Sequence, residues 1–184
     1  MNITCLCFSF SAAAAAACAG TVATKDGGGF QSAVCAEHPM AEGAHYVEMT
    51  LLKNGYGARM GVVGQGFDAA GGGEAFSSKE GWVLSTNSGA LNHAGELSDW
   101  AGMPQTKEIK PGDVVGLLLD LGQRTLSVYL NGARRGVMVA PGMKNMSGEA
   151  LASLAGPLRW AVDVDNGASV RIERKPPPPS PAAD

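Results

Sequence analysis

Few side chains in this sequence stand at spacings that chemistry requires. Asp163 and Asp165 lie two apart, so an extended chain puts both on one face, the placement a sandwich glycosidase needs for its paired carboxylates. The run Asp163-Val164-Asp165-Asn166-Gly167 also opens like a calcium loop, but the distal glutamate that would close one is missing. A solvated strand end and turn is the reading these residues support. Cys35-x-x-His38 has the gap of a metal-ligand pair, yet no second pair follows it, and Cys5-x-Cys7 is too tight. No metal is expected. His38, His45 and His93 are scattered and have no nucleophile partner, so each is expected at the surface or a strand edge rather than as a base. Gly64-x-Gly66 lacks the third glycine of a dinucleotide loop, and neither a phosphate-binding loop nor a nucleophile elbow occurs. The chain therefore reads as a non-enzyme without cofactors.

Bulk properties narrow the class further. The chain has 184 residues, enough for one domain with tails, and 45% of them are hydrophobic. Charged residues make up 17%, and the net charge of −3 argues against a nucleic-acid module, which needs a basic face. Twenty-six glycines point to many turns rather than long helices. Cys5, Cys7, Cys18 and Cys35 crowd into the first fifth of the chain, whereas a stapled secreted domain would spread them over its loops. They read as reduced thiols in an intracellular, cytoplasmic protein.

Residues 1–19 are apolar and uncharged, with six consecutive alanines from Ala12 to Ala17. They read as an opening strand and loop. A cleaved secretory signal is the alternative, although the basic start of such a signal is missing. Alanine is too weakly apolar for this segment to span a membrane. Asn2-Ile-Thr4 and Asn145-Met-Ser147 match the glycosylation sequon, a pattern common by chance.

From residue 20 the chain alternates short strands and turn signals. Strands are expected over 20–25, 30–36, 45–52, 59–64, 82–84, 114–120, 125–130, 135–139, 158–164 and 169–173. In the third of these, Tyr46, Glu48, Thr50 and Leu52 share one face, and His45, Val47, Met49 and Leu51 the other. Asn131-Gly132 is the strongest hairpin signal, because a two-residue turn of this kind needs positive φ at both positions. Residues 147–154 could form a single helical turn before Gly156-Pro157. The proline-rich segment 174–184 is expected to be an extended tail. Short strands at this spacing indicate an all-β, antiparallel sandwich or barrel. Tyr46, Trp82, Leu117, Leu119, Leu126, Val128, Leu130, Trp160 and Val162 are the expected core.

Several of these segments, in order, resemble the SPRY domain family. His45-Tyr46-Val47-Glu48 after Gly43 is similar to its G-x-H-Y-W-E-V strand, with Val47 in place of tryptophan. Arg59-Met60-Gly61-Val62-Val63 is similar to the next strand, again without its tryptophan. Residues 112–121 match G-D-x-V-G-V-x-L-D, and residues 125–132 match L-S-F-Y-L-N-G. Residues 156–162 and 170–172 resemble the family's last two strands. The resemblance covers residues 20–173 and implies a bent, concanavalin-like sandwich of two antiparallel sheets. It also implies a non-catalytic adaptor that binds a partner protein or short peptide through loops at one end.

With no catalytic set, function is expected on loops. The segment 97–104 sets Asp99, Trp100 and Met103 beside one another, next to the turn that carries Asn87 and Leu91. Trp100 could be an interface anchor or a plug over the sheet edge. Phe67 in the glycine-rich loop and the Asp165-Asn166 turn complete the candidate partner-binding set. A lectin-like carbohydrate site is the alternative function, built on Trp100 with Asp99, Asn92 and Asn87. The protein is expected to be a monomer that binds neither nucleic acid nor membrane.

Overall fold

The computed structural model describes Ser9–Phe10 and residues 22–177. The expectations for the rest of 1–19, including Cys5, Cys7, Cys18 and the first sequon, fall outside the described residues, as do those for residues 178–184. Alternating polar and apolar stretches broken by glycine turns become thirteen strands, with no helix among the described residues. They are β1 Ser9–Phe10, β2 Val22–Thr24, β3 Gln31–Val34, β4 Ala44–Lys53, β5 Ala58–Gly64, β6 Gly81–Ser85 and β7 Leu91–His93. Then follow β8 Glu96–Ser98, β9 Val114–Asp120, β10 Thr125–Leu130, β11 Ala133–Val139, β12 Leu158–Val164 and β13 Ser169–Arg174. All pairings are antiparallel. One sheet runs β1-β3-β12-β5-β6-β7-β8 and the other β11-β10-β9-β4-β13-β2.

The two sheets close on a single apolar layer. Val47, Met49 and Leu51 of β4, Val115, Leu117 and Leu119 of β9, and Leu126 and Val128 of β10 supply one side. Met60 and Val62 of β5, Leu84 of β6, and Trp160 and Val162 of β12 supply the other. Every second residue along each strand points inward, as the pleat requires. Burying each large side chain contributes about 1.5–3 kcal/mol.

The expected hairpin forms with the expected register: Thr125 faces Asp120 and Leu130 faces Val115. Asn131 and Gly132 have φ of 52° and 81°, the two positive values a tight turn between β10 and β11 demands.

Three expectations need correction, and one hairpin was not foreseen. Tyr46 is buried, but on the outer face of its sheet rather than in the central core, because the inward face of β4 is the one carrying Val47, Met49 and Leu51. Its ring meets Tyr129 edge-on with centroids 5.8 Å apart. It lies over Gly116, where any Cβ would collide with the phenol oxygen. Burial, reinforced by Glu48, pushes the Tyr46 hydroxyl up to about 12. Residues 147–154 form no helical turn; a β-bridge between Lys144 and Ala150 ties that segment down instead. Residues 91–98, whose alternation is too short to signal strands, form the β7–β8 hairpin around Ala94 and Gly95. Finally, His93 is buried rather than at the surface, stacked on Trp82 with centroids 4.9 Å apart and Nδ1 2.7 Å from the Gly81 carbonyl.

Candidate functional site

At the end of the sandwich where β4 turns into β5, five loops are locked together by asparagine side chains and backbone hydrogen bonds. Asn54, Gly55, Tyr56 and Gly57 form the β4–β5 turn. The Asn87 amide donates to the Tyr56 carbonyl at 2.8 Å, and Asn54 Nδ2 donates to Asn87 Oδ1 at 3.1 Å. The Asn87 carbonyl accepts from the Lys107 amide at 2.8 Å. On the other side, the Tyr56 amide donates to the Asn166 carbonyl at 3.2 Å, and Asn166 Oδ1 accepts from the Gly27 amide at 3.3 Å. Asparagine suits this work because one short side chain offers both donors and acceptors to neighbouring backbone.

Glycine is required where these loops touch. Gly55 has φ of +53°, and a Cβ there would stand 2.3 Å from the Asn166 carbonyl oxygen. The clamp leaves Tyr56 at the tip, 72% exposed, beside a cleft of about 540 Å³. Asn54, Asn87, Lys107, Ile109 and Lys110 line that cleft. Below it, Glu108 pairs with Arg135 of β11 at 2.7 Å and accepts from the Gln105 amide at 2.7 Å. That backbone hydrogen bond, then Arg135, holds the Glu108 carboxyl below its ordinary range. The arrangement offers an exposed aromatic, amide groups and two lysine ammoniums on a fixed frame, which suits recognition of another chain rather than bond making.

A second polar cluster lies on the outer face of the β3-β12-β5-β6 sheet. Asp163 is fully buried and accepts from the Ser32 hydroxyl and from the amides of Ala75 and Phe76 at 3.1 and 3.0 Å. The Arg59 guanidinium carbon sits 3.7 Å from the centroid of Phe30 and 3.8 Å from that of Phe76. Desolvation raises the Asp163 carboxyl above its usual range, opposed by its three donors and by Arg59. This cluster pins the loop of residues 65–80 across the sheet over Val34, Val63, Val83 and Ala161. Asp163 is therefore no solvated strand end, as its spacing from Asp165 suggested, and its oxygens are spent on protein donors. Among the described residues, no group of three or more His, Cys, Asp or Glu side chains could hold a metal.

No family model matches the sequence, and no curated protein matches it. Solved structures do match. The SPRY domain of human HERC1 superposes with a TM-score of 0.62 at 19% identity, over 84% of this chain and 88% of that one. A second human SPRY domain superposes with a TM-score of 0.60 at 15% identity, over 86% of this chain and 94% of that one. The chain has the SPRY fold.

Within this SPRY fold the candidate residues are divided among three places. Asn87 and Asn166 meet in the loop clamp around Tyr56, and half-buried Asp165 caps the adjoining turn by accepting from the Asn166 amide. Trp100 is 7% exposed and packs against the main core, with its indole N–H donated to the Gly89 carbonyl at 2.9 Å. That is the plug arrangement. Half-buried Met103 packs on the same core, and Asp99 stays exposed. Leu91 is fully buried in β7, and Phe67 is buried under the 65–80 loop, so neither reaches the loop end's surface. The aromatic platform for a carbohydrate is not assembled, since Trp100 and Asn92 are both buried.

Sequence reasoning missed Tyr56, Lys107, Ile109 and Lys110. The signal was an aromatic between two glycines in Asn54-Gly55-Tyr56-Gly57, where no strand pattern accounts for a ring. No helix among the described residues is long and apolar enough to cross a membrane.

Proposed function

We propose that this chain is a non-catalytic interaction module that takes an exposed segment of a partner protein at its loop end. The observation that carries this is Tyr56, held 72% exposed at the tip of a hydrogen-bonded frame beside a cleft with lysines at its rim. A large ring held in water by a fixed turn is the kind of anchor that dominates protein interfaces, because it adds area at little entropic cost. Lys107 and Lys110 favour a partner segment that carries acidic or amide side chains. Both SPRY folds it resembles are domains of human proteins. Affinity capture with the intact chain, followed by peptide-array mapping, tests the reading. Tyr56→Ala is expected to weaken capture by about 2 kcal/mol or more while leaving the melting temperature unchanged. Undiminished capture by that variant would remove the loop end from the interface.

A further inference from the structure

The other end of β4 carries a different cavity, of about 330 Å³. His38 from the segment before β4, His45 from its start, and Arg174 and Lys175 from the end of β13 all line it. Among the described residues no aspartate or glutamate lines it, although the chain as a whole carries a net charge of −3. Its floor is firm, because Trp160 and Tyr46 are buried beneath it. The imidazoles of His38 and His45 meet edge-on with centroids 6.5 Å apart. His45 Nε2 lies 2.8 Å from the Glu42 carbonyl and must donate to it, which leaves Nδ1 as the second ring nitrogen. Arg174 makes no side-chain hydrogen bond or ion pair among the described residues. Lys175 has only a loose pairing with Glu173 at 3.9 Å.

The cavity thus gathers two imidazoles, a guanidinium and an ammonium with almost no internal counter-charge. Burial, then Arg174, then His45 lower the affinity of His38 for its proton. The two fixed cations, Arg174 and Lys175, have only the loose Glu173 contact as counter-charge among the described residues. We propose that this cavity is a binding site for a phosphoryl group. A single carboxylate brings one charge and two oxygens, which would leave part of the set unpaired. A phosphomonoester brings nearly two charges and three terminal oxygens, matching a guanidinium fork flanked by an ammonium and two imidazoles. This site is separate from the loop end and does not rest on the function proposed there.

The test is titration of the full chain with inorganic phosphate while the ring resonances of His38 and His45 are followed by NMR. Acetate and chloride at matched ionic strength serve as controls. Saturable shifts of both rings with phosphate, at least tenfold stronger than with acetate, are expected. Arg174→Gln should weaken them at least tenfold, Lys175→Gln at least threefold, and Lys144→Gln not at all. Both Arg174 and Lys175 are exposed at a strand end, so neither change threatens the fold. Shifts linear in phosphate, equal shifts with acetate, or shifts indifferent to Arg174→Gln and Lys175→Gln would overturn the proposal. A phosphoserine peptide that binds tenfold tighter than free phosphoserine would place the group on a polypeptide. Equal affinity would place it on a small molecule.

Discussion

Asp163 is where charge and burial conflict most directly. Its three hydrogen-bond donors suit an anion, but full burial costs more than they return, so the folded carboxyl keeps its proton to a higher pH than the ordinary value of 3.8. The folded state then binds more protons than the unfolded chain between those two values, and stability falls as pH rises through that window. Asp163→Asn should flatten this part of the stability curve. Unfolding in urea at several pH values, for the parent and the variant, checks it. An identical slope in both proteins would show that the Asp163 carboxyl binds protons equally in the folded and unfolded states.

Trp100 carries a sharper expectation. Its ring fills a space against Gly136, where a Cβ would stand 3.4 Å from the indole, and its N–H satisfies the Gly89 carbonyl. Trp100→Ala should cost about 3–5 kcal/mol, from a cavity and an unmet acceptor together. A loss below about 1 kcal/mol in urea unfolding would contradict the plug role.

The strands were legible where alternation ran long enough to choose a face. Residues 125–130 show it, whereas 114–120 read as a strand from a near-continuous apolar run; joined by a turn and followed by Asn131-Gly132, they give β9, β10 and their register. β4 was legible as a strand, but Tyr46 pointed to the wrong face as the core one, since Tyr46 and Val47 are both apolar and only the packing of Val47 against the second sheet decides. The β7–β8 hairpin was illegible because its strands are three residues each. The loop clamp was illegible for another reason: Asn54, Asn87 and Asn166 are far apart in the chain, and only the sheet order brings them together.

Two turns that look alike in sequence differ in what they tolerate. Gly132 has φ of +81° and open space around its missing Cβ, whereas Gly55 has φ of +53° and backbone within 2.3 Å. Gly132→Ala should therefore cost about 1–2 kcal/mol, the penalty of a left-handed conformation alone. Gly55→Ala should add a further ~1–3 kcal/mol from overpacking against the Asn166 carbonyl. Thermal denaturation of both variants decides it; equal losses would mean the β4–β5 turn is free to move away from Asn166.

Across the molecule, β4 connects the two ends. Its ten residues span roughly 30 Å at about 3.3 Å per residue, with the cationic cavity at Ala44 and the Tyr56 turn just beyond Lys53. That separation exceeds the screening length of about 8 Å at physiological ionic strength, so charge placed in one site is not felt at the other. Nor is there a moving part between them: β4 is an interior strand, hydrogen-bonded to β9 along one side and β13 along the other, with Val47, Met49 and Leu51 fully buried. A strand held this way has one arrangement, and coupling requires an element with two. Saturating phosphate should leave partner affinity at the loop end unchanged within about 0.5 kcal/mol, and the effects of Tyr56→Ala and Arg174→Gln should add. Calorimetry on the two single variants and the double variant measures this directly. A deviation from additivity larger than that would show that the sheet between the two sites shifts when either is filled.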